Sequence, residues 1–360
     1  MTHQLKLAIV LLFIGHTAFS HPKLPIIKAT SKKVDIRDGA NFKKGYWNIS
    51  PATKPDVYQT HSLNKRVTFY TDQDSISFKV KPNHTYSFII LLNNKDSALT
   101  QIVYVPSYLD VLKKAAQYNF NDQRVLTNFT YRSQNDPDLV ELRKTFKLDS
   151  IVGTGNEISK ILSLLHWIHN TFPHDGTKEI PKYTSISNLM SISLKEHTTF
   201  HCGALAWVMN DCYLALGFKS RHVVCLPKDS TDSDCHSINT VYSNTLNKWL
   251  WIDPTNDAYV MNEEGELLSI AEVRERLIND KPLILNPEAN WNHVNSITKS
   301  YYLEYYMAKN LYAFQCFVVG GGESRSNLLL PVEYKGIIPR AAMNKPKVTN
   351  NPNIFWAKPE

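Results

Sequence analysis

The stretch CHSINTVYSNTLNKWLWID, residues 235–253, limits the fold of this chain more than any other. Two runs rich in β-branched and aromatic residues flank a polar turn, which predicts an antiparallel β-hairpin. With a two-residue loop at Asn244 and Thr245, His236 faces Asp253 across the strands. Side chains alternate with period two, so a shift of pairing by two residues keeps both on one face, whereas a shift by one separates them. Directly opposed Cβ atoms lie roughly 5 Å apart, so the hairpin predicts a hydrogen-bonded histidine–aspartate pair.

The segment before the hairpin, TTFHCGALAWVMNDCYLALGF, predicts a buried helix whose first turn contains Cys202. Its apolar residues recur at helical spacing: Leu205, Val208, Met209, Cys212 and Leu216. Gly217 stands where a C-cap glycine is typical. Cys212 lies on the apolar stripe, and we expect it to fill the core. Cys202 lies where backbone amides are free and the helix dipole is positive, which favours thiolate over thiol.

Cys202, His236 and Asp253 together supply the groups that nucleophilic catalysis requires. A cysteine nucleophile needs a base, and the base needs a partner that orients it. Each residue also has a simpler interpretation. Cys202 could be a core cysteine and His236 an exposed strand histidine. Asp253 could cap the turn DPTND, alone or in addition to a catalytic role. The helix position and the facing pair favour the catalytic triad.

Three blocks occur in order along the chain: FHCGALAWVMNDCYLALGFKSRHV, HSINTVYS and KWLWIDPTND. In these blocks the region 155–256 resembles the transglutaminase-like superfamily, which has a papain-like α+β fold. That family places a nucleophilic cysteine at a helix N-terminus and takes a histidine and an aspartate from adjacent antiparallel strands. The resemblance implies Cys202 as nucleophile, His236 as base and Asp253 as orienting residue. The chain departs from the family at Phe200, where glycine is common.

The resemblance implies a cysteine-dependent hydrolase or acyltransferase that acts on amide bonds through a thioester, most similar to a protease or amidase. The first twenty residues add the expectation that the protein is exported. Backbone amides at the helix start, including that of Cys202, would form the oxyanion hole. We expect a protein, peptide or peptidoglycan-like amide as substrate, and neither a cofactor nor a metal. Two alternatives stay open: a protein-cross-linking transglutaminase, and a non-catalytic peptide- or glycan-binding protein on the same scaffold.

The chain contains five cysteines, an odd number that leaves at least one thiol unpaired. Cys225 and Cys235 flank the polar loop PKDSTDSD, and in an exported protein a disulfide between them could close this loop. The alternative is that both remain thiols. The sequence has no CxxC pair, which argues against a structural zinc site and against a thiol redox protein.

The first twenty residues, MTHQLKLAIVLLFIGHTAFS, predict a signal peptide. An early Lys6 precedes an apolar run, and small residues at Ala18 and Ser20 predict cleavage after Ser20. The run is shorter than the roughly 20 residues that span a bilayer. We therefore expect a secreted or periplasmic protein without stable membrane insertion. The net charge of +7 is spread along the chain without a basic cluster, which argues against nucleic-acid binding.

The pattern of elements predicts an α+β protein in successive segments. We expect an irregular lead-in over 21–60, a small antiparallel β module over 61–107, a transglutaminase-like domain over 108–335 and a surface tail over 336–360. Thr154-Gly-Asn-Glu157 matches a capping box that would open a core helix. His166 and His169 flank the apolar stripe of that helix, which favours packing or surface roles.

Overall fold

A computed structural model describes residues 23–115, 117–179, 185–229, 231–318, 325–334 and 346–360. The predicted signal peptide, residues 1–20, lies outside these ranges. The chain divides into two compact units, with the boundary between Pro106 and Ser107. Across the described ranges, no helix combines the length and the apolarity needed to traverse a bilayer.

The first unit consists of two four-stranded sheets. Its strands are β1 (Ile26–Ala29), β2 (Lys33–Asp38), β3 (Asn41–Asn48), β4 (Asp56–Thr60), β5 (Arg66–Tyr70), β6 (Ser75–Lys79), β7 (Thr85–Leu92) and β8 (Asp96–Tyr104). One sheet has the order β1-β7-β8-β4 and the other β3-β2-β5-β6. A single apolar cluster that includes Ile36, Phe69 and Phe88 fills this unit.

One prediction for this region is wrong. Residues 21–60 are not an irregular lead-in, because β1 to β4 lie there. In the segment KVDIRD, buried Val34 and Ile36 alternate with charged residues, so the overall polarity hid a strand of period two. Within 61–107 the four predicted strands pair antiparallel, β5 with β6 and β7 with β8. Outside those bounds, β1 and β4 add parallel pairs with β7 and β8.

The second unit is a mixed helix-and-sheet structure, as the α+β prediction requires. Its α-helices are α1 (Tyr108–Lys114), α2 (Pro137–Thr145), α3 (Leu148–Val152), α4 (Glu157–Thr171), α5 (Ile186–Glu196), α6 (Cys202–Ala215), α7 (Ile270–Ile278), α8 (Ala308–Asn310) and α9 (Pro352–Phe355). A π-helical segment, Ser300–Met307, directly precedes α8.

A six-stranded sheet with the order β11-β10-β9-β16-β17-β18 forms the centre of this unit. Its strands are β9 (Ser220–Leu226), β10 (His236–Ser243), β11 (Lys248–Ile252), β16 (Ala313–Val318), β17 (Arg325–Leu329) and β18 (Lys347–Thr349). Short pairs are formed by β12 (Val260–Met261) with β13 (Ile284–Leu285), and by β14 (Asn290–Trp291) with β15 (Asn295–Ser296).

Apolar side chains alternate between the two faces of the sheet and bury helices on both. Val241 and Leu250 pack with α4 and α6, whereas Ile238 and Trp251 pack with α7 and the π-helical segment. The predicted surface tail is wrong for the part that is described. Strand β18 joins the sheet beside β17, and Phe355 is fully buried. Residues 336–345 of that tail lie outside the described ranges.

The hairpin forms with a pairing shifted by two residues from the predicted one. Thr240 pairs with Trp251 and Ser243 with Lys248, so the loop has four residues instead of two. The faces of the strands are unchanged, because side chains alternate with period two. Asn247 adopts a positive φ of 52°, a conformation that asparagine tolerates.

Glu157 holds this four-residue loop from the start of α4. Its carboxylate accepts hydrogen bonds from the Ser243 hydroxyl at 2.6 Å and from the backbone N–H groups of Asn244 and Thr245 at 2.9 and 2.8 Å. The capping-box prediction is therefore wrong. The N-cap of α4 is Asn156, and Glu157 holds the hairpin instead. Partial burial raises the pKa of Glu157, but these hydrogen bonds lower it to about 2.

Candidate active site

Cys202 is the first residue of α6, at the helix end where the sequence predicts it. His201 is the N-cap, and its Nδ1 accepts a hydrogen bond from the Ala204 N–H at 3.1 Å. Gly203 makes room for this cap, because a Cβ there would lie 3.0 Å from the His201 ring. At the other end of the helix, Gly217 has a φ of 86°, as the C-cap prediction requires.

His236 begins β10 and is 1% exposed. Its Nε2 lies 2.8 Å from Oδ2 of Asp253, which is fully buried just past the end of β11. The structure thus brings together the pair that the hairpin predicted, although the two residues are not directly opposed in the ladder. Since Asp253 occupies Nε2, Nδ1 is the nitrogen of His236 that is left for the Cys202 thiol, and it makes no other hydrogen bond among the described residues.

Asp253 is held by several donors at once. Oδ2 accepts from the Tyr302 hydroxyl at 2.6 Å and from Asn256 Nδ2 at 2.9 Å, and Oδ1 accepts from the Thr255 N–H at 2.9 Å. Trp251 Nε1 in turn donates to the Tyr302 oxygen at 3.2 Å. Asp253 therefore caps the turn and orients the histidine, so the two interpretations of this residue are compatible.

The charges of this cluster favour an ion pair between sulfur and imidazole. Burial by itself raises the pKa of the Cys202 thiol, but hydrogen bonds with His174 and His236 lower it to about 5. The charge of His236 and a hydrogen bond from the Ser237 backbone act in the same direction. Burial lowers the pKa of His236, whereas Tyr306 and Asp253 raise it well above its ordinary value. Thiolate, imidazolium and carboxylate therefore alternate in sign, each stabilising the next.

His174 is a site residue that the sequence reasoning missed. Its side chain hydrogen-bonds to Cys202, and its Nδ1 lies 3.1 Å from Trp291 Nε1. An indole N–H can only donate, so Nδ1 accepts and the neutral ring carries its proton on Nε2. The N–H at Nε2 is therefore the group that donates to the Cys202 sulfur. No local motif marks this histidine, because the contacts that place it come from distant parts of the chain.

Phe200, where the chain departs from the family pattern, helps to position His174. The Phe200 N–H donates to the Pro173 carbonyl at 2.9 Å, and the Phe200 carbonyl accepts from Asp175 N–H at 2.8 Å. This short parallel bridge fixes the backbone on both sides of His174. Asn292 holds the same backbone through both His174 N–H and C=O, at 2.8 Å each. The buried Phe200 ring packs on Phe172 with 5.4 Å between centroids.

His166 and His169 support the loop that follows Asp253. His166 Nδ1 lies 2.7 Å from Asp257 Oδ1, and His169 Nδ1 lies 3.1 Å from the Pro254 carbonyl. They tie α4 to the turn DPTND without contacting the thiol. The sequence interpretation of both as structural histidines fits these contacts.

The structure contains no disulfide between Cys225 and Cys235, contrary to the bridge considered above. The reason is the alternation of side chains along the sheet. Cys225 pairs with His236 in the ladder and packs with Ile238, whereas Cys235, one residue earlier than His236, packs with Leu226 on the other side. Burial raises the pKa of Cys225 far above its ordinary value. Within the described ranges, no group of three or more histidine, cysteine, aspartate or glutamate side chains could hold a metal ion.

No protein-family model matches the chain, and no curated protein matches it. Among solved structures, a proposed cysteine protease from Cytophaga hutchinsonii is 18% identical with a TM-score of 0.26, covering 37% of this chain and 46% of its own. A proposed protease from Parabacteroides distasonis is 14% identical with a TM-score of 0.23, and the match covers 53% of this chain and 34% of that protein. Red sea bream transglutaminase is 10% identical with a TM-score of 0.29, and the match covers 92% of this chain and 64% of that protein. The chain thus spans less than two thirds of each of these proteins, and at such TM-scores the proposal below depends on the geometry of the site alone.

Proposed function

We propose that this protein is an exported cysteine hydrolase or acyltransferase with a transglutaminase-like core, and that it acts on amide bonds as a protease or amidase. The observation that carries the proposal is the arrangement of Cys202, His236 and Asp253. A thiol with a pKa of about 5 at a helix N-terminus contacts an imidazole whose far nitrogen lies 2.8 Å from a buried carboxylate. This is the relation of nucleophile, base and orienting group that acyl transfer requires.

The reaction proceeds through a thioester. The Cys202 thiolate attacks the amide carbonyl carbon, and the carbon–oxygen π electrons move to oxygen to give a tetrahedral oxyanion. The oxyanion collapses with cleavage of the carbon–nitrogen bond, and the His236 imidazolium gives its proton to the departing amine. His236, now neutral, then removes a proton from water as the water attacks the thioester. Collapse of the second oxyanion releases the carboxylic acid and restores the thiolate–imidazolium pair.

Asp253, which Tyr302 helps to hold in place, determines which nitrogen of His236 exchanges the catalytic proton. The hydrogen bond to Asp253 keeps a proton on Nε2, so Nδ1 faces the sulfur and exchanges the catalytic proton. The four bonds that Asp253 accepts leave its carboxylate no freedom to rotate away from the ring. The imidazolium formed by proton transfer is then stabilised by a fixed negative charge.

Two kinds of donor lie beside the sulfur for the oxyanion. The backbone N–H of Cys202 belongs to the first helical turn, whose amides have no partner within the helix. The Nε2–H of His174, which hydrogen-bonds to the sulfur itself, lies within reach of an oxygen on the carbon that the sulfur attacks. Fixed donors at this position stabilise the charge that develops in the transition state.

The test is a digest of a peptide library and of peptidoglycan fragments, followed by mass spectrometry. Wild type, Cys202→Ala and the matched control Cys212→Ala are compared. We expect the wild type and the control to cleave the same amide bonds, and Cys202→Ala to cleave none. Cleavage that survives in Cys202→Ala contradicts the proposal.

The same experiment separates the alternatives. A fluorescent primary amine added during the digest is incorporated into acceptor peptides if the thioester transfers to amines, which would assign a transglutaminase. Peptides or glycan fragments that bind without cleavage, and without an acyl adduct on Cys202 in the intact mass, would assign a binding protein.

A further inference from the structure

The boundary between the two units divides the charge of the chain unevenly. Residues 23–106 contain 13 lysines and arginines against 6 aspartates and no glutamate, a net charge of +7. Residues 107–360 contain 26 lysines and arginines against 27 acidic residues, a net charge of −1. The even spread of charge expected from the sequence is therefore wrong, because the first unit carries the excess of positive charge.

One face of the sheet β3-β2-β5-β6 is turned away from the apolar cluster of the first unit. Along β2, Lys33 and Arg37 are exposed and alternate with the buried Val34 and Ile36. The pairing of the strands continues this face across β5 and β6. We call it the basic face, after its four exposed cations: Lys33, Arg37, Arg66 and Lys79.

The strand register brings three of these cations close together. Arg66 stands directly opposite Lys79, and Arg37 stands opposite Thr68, two residues along β5 from Arg66. Directly opposed Cβ atoms lie about 5 Å apart and diagonal neighbours about 7–8 Å. Like charges directly opposite each other destabilise a sheet, so this arrangement costs stability that a bound anion would restore.

The carboxylates of the first unit do not neutralise the basic face. Asp35 lies on the same face, and its carboxylate accepts a hydrogen bond from the Gly45 N–H. Among the described residues of this unit, the ion pair is formed by Lys43 with Asp38 and not by a cation of the basic face. The four cations therefore remain available to a partner of opposite charge.

Aromatic rings and hydroxyl groups lie beside the cations. Phe42 is 50% exposed and Tyr70 is 37% exposed, with 6.3 Å between their ring centroids. The guanidinium carbon of Arg37 lies 5.2 Å from the centre of the Phe42 ring. Ser75 and Ser77 are exposed on β6. Each of them is paired with a residue of β5 in the same face.

This combination of groups matches an acidic polysaccharide. The carboxylates of such a polymer pair with guanidinium groups in bidentate geometry, and its hydroxyl groups exchange hydrogen bonds with serine. The apolar faces of sugar rings pack on exposed aromatic rings. An acidic peptide has no sugar ring to place there, and a membrane surface favours a larger apolar patch than two rings.

We propose that the basic face binds an acidic polysaccharide, whose carboxylates pair with Arg37, Arg66 and Lys79 and whose sugar rings pack against Phe42 and Tyr70. The choice of a polymer outside the cell rests on the predicted export, which is part of the proposed function. The binding itself does not require Cys202.

A short oligogalacturonate and its methyl ester are suitable probes, since they share the sugar chain and differ in charge. Calorimetry on the intact chain should show saturable oligogalacturonate binding at least about tenfold tighter than that of the ester. Oligoglutamate, single-stranded DNA and phosphatidylglycerol vesicles represent other polyanions, and each should bind more weakly than oligogalacturonate. The proposal is overturned by no saturable binding, by equal binding of the ester, or by equal or tighter binding of any other polyanion.

The double variant Arg66→Gln/Lys79→Gln tests the basic face itself, with thermal unfolding as the check on its fold. Its matched control, Lys28→Gln/Lys95→Gln, removes the same charge from β1 and from the turn between β7 and β8. The first variant should lose at least about tenfold in oligogalacturonate affinity, and the control should stay within about twofold. Equal losses in the two variants would show that net charge alone matters, and would overturn the site.

Two further measurements keep the result unambiguous. Cys202→Ala should bind oligogalacturonate as the wild type does, so failure of this binding and failure of the proposed cleavage are separate results. If the double variant does not fold, hydrogen exchange of the wild type locates the contact. Protection of β2 and β5 amides by oligogalacturonate supports the site, and protection only elsewhere overturns it.

Discussion

Cys202 and Cys212 lie ten residues apart on α6, and their thiols have opposite acid–base behaviour. Burial raises the pKa of Cys212 well above its ordinary value, with the nearby Asp211 acting in the same direction. Cys202 is also largely enclosed, yet its pKa falls to about 5 because two histidines and a backbone amide hydrogen-bond to the sulfur. The same helix therefore holds an inert thiol and an activated one.

The difference shows that the helix terminus is only part of the activation. A positive helix end offers a modest preference for negative charge, whereas direct hydrogen bonds and a neighbouring imidazolium contribute more. Cys212 packs against apolar residues of the core and has neither. Each variant that follows removes one contribution to the low pKa of Cys202 or to the fold around it. The measurement then shows whether Cys202 and Cys212 still differ in reactivity.

Removal of each thiol in turn gives the largest expected effect. At neutral pH, iodoacetamide should label Cys202 at least about a thousandfold faster than Cys212, because the thiolate is the reactive form. Cys202→Ala should abolish the fast labelling, and Cys212→Ala should leave it intact while lowering stability by about 1 kcal/mol. Peptide mapping of the labelled protein measures both. Fast labelling of Cys212 in the native chain would contradict the proposed difference in reactivity between the two thiols.

Asp253→Asn should reduce the activity of Cys202 by about 10³- to 10⁴-fold, because the imidazole loses the charge and the acceptor that fix its tautomer. Asp257→Asn is the matched control. It alters the other histidine–aspartate contact, at His166, whose pKa is raised by that carboxylate. The control should keep activity within about threefold. Equal losses of activity in the two variants would show that activity depends on the conformation of the loop after β11 and not on the charge of Asp253.

The pH dependence of labelling tests the ion pair directly. Cys202 should react above about pH 5 and lose reactivity below it, as the thiolate takes up a proton. His236→Ala removes the imidazolium and should raise the pKa of Cys202, so labelling at pH 6 should fall roughly a hundredfold. Stopped-time alkylation between pH 4 and 9 measures the profile. A profile that His236→Ala leaves in place would assign the low pKa to His174, the Ser237 backbone and the helix end instead of the imidazolium.

His174→Phe should have a smaller effect, a loss of roughly tenfold in kcat with KM little changed, because one donor to the sulfur and the oxyanion disappears. His174→Gln retains a donor and should recover part of that loss. Trp291→Phe frees Nδ1 of His174 and should cost only a few-fold. Steady-state kinetics on the first substrate identified distinguishes these outcomes, and a pure KM effect in His174→Phe would make it a binding residue.

Glu157→Gln should give the smallest change and should leave the contrast between the two thiols intact. Its carboxylate stabilises the hairpin, so the variant should lose about 1 kcal/mol of unfolding free energy at neutral pH. The folded-state pKa of about 2 lies below the ordinary 4.5, so this contribution is present above pH 4.5 and is lost as the pH falls toward 2. Urea unfolding of both proteins at pH 3 and 7 should show the difference shrinking at the lower value.

Local sequence patterns were sufficient to predict those parts of the site that depend on a single helix or on two adjacent strands. The start of α6 at Cys202 follows from helical spacing, and the shared face of His236 and Asp253 follows from alternation in two strands. The two-residue shift of the hairpin leaves the shared face unchanged, because side chains alternate between the faces every second residue. The contact that holds the loop comes from Glu157, which is 86 residues away from Ser243, and no local rule includes such a contact.

The residues that escaped the sequence analysis all act through distant partners. Tyr302 reaches Asp253 from the π-helical segment, and His174 depends on Trp291 for its tautomer. Interactions between segments far apart in the chain decide these roles, and a single sequence does not encode them in a periodic form.

The burial of Phe355 bears on when this protein can fold during synthesis. The carbonyl groups of Phe355 and Ala357 satisfy Arg221, and β18 completes the sheet next to β17. The ribosome must therefore release the chain beyond these residues before the second unit can close its core, even though the nucleophile was made some 150 residues earlier. Until then the thiol has no assembled base.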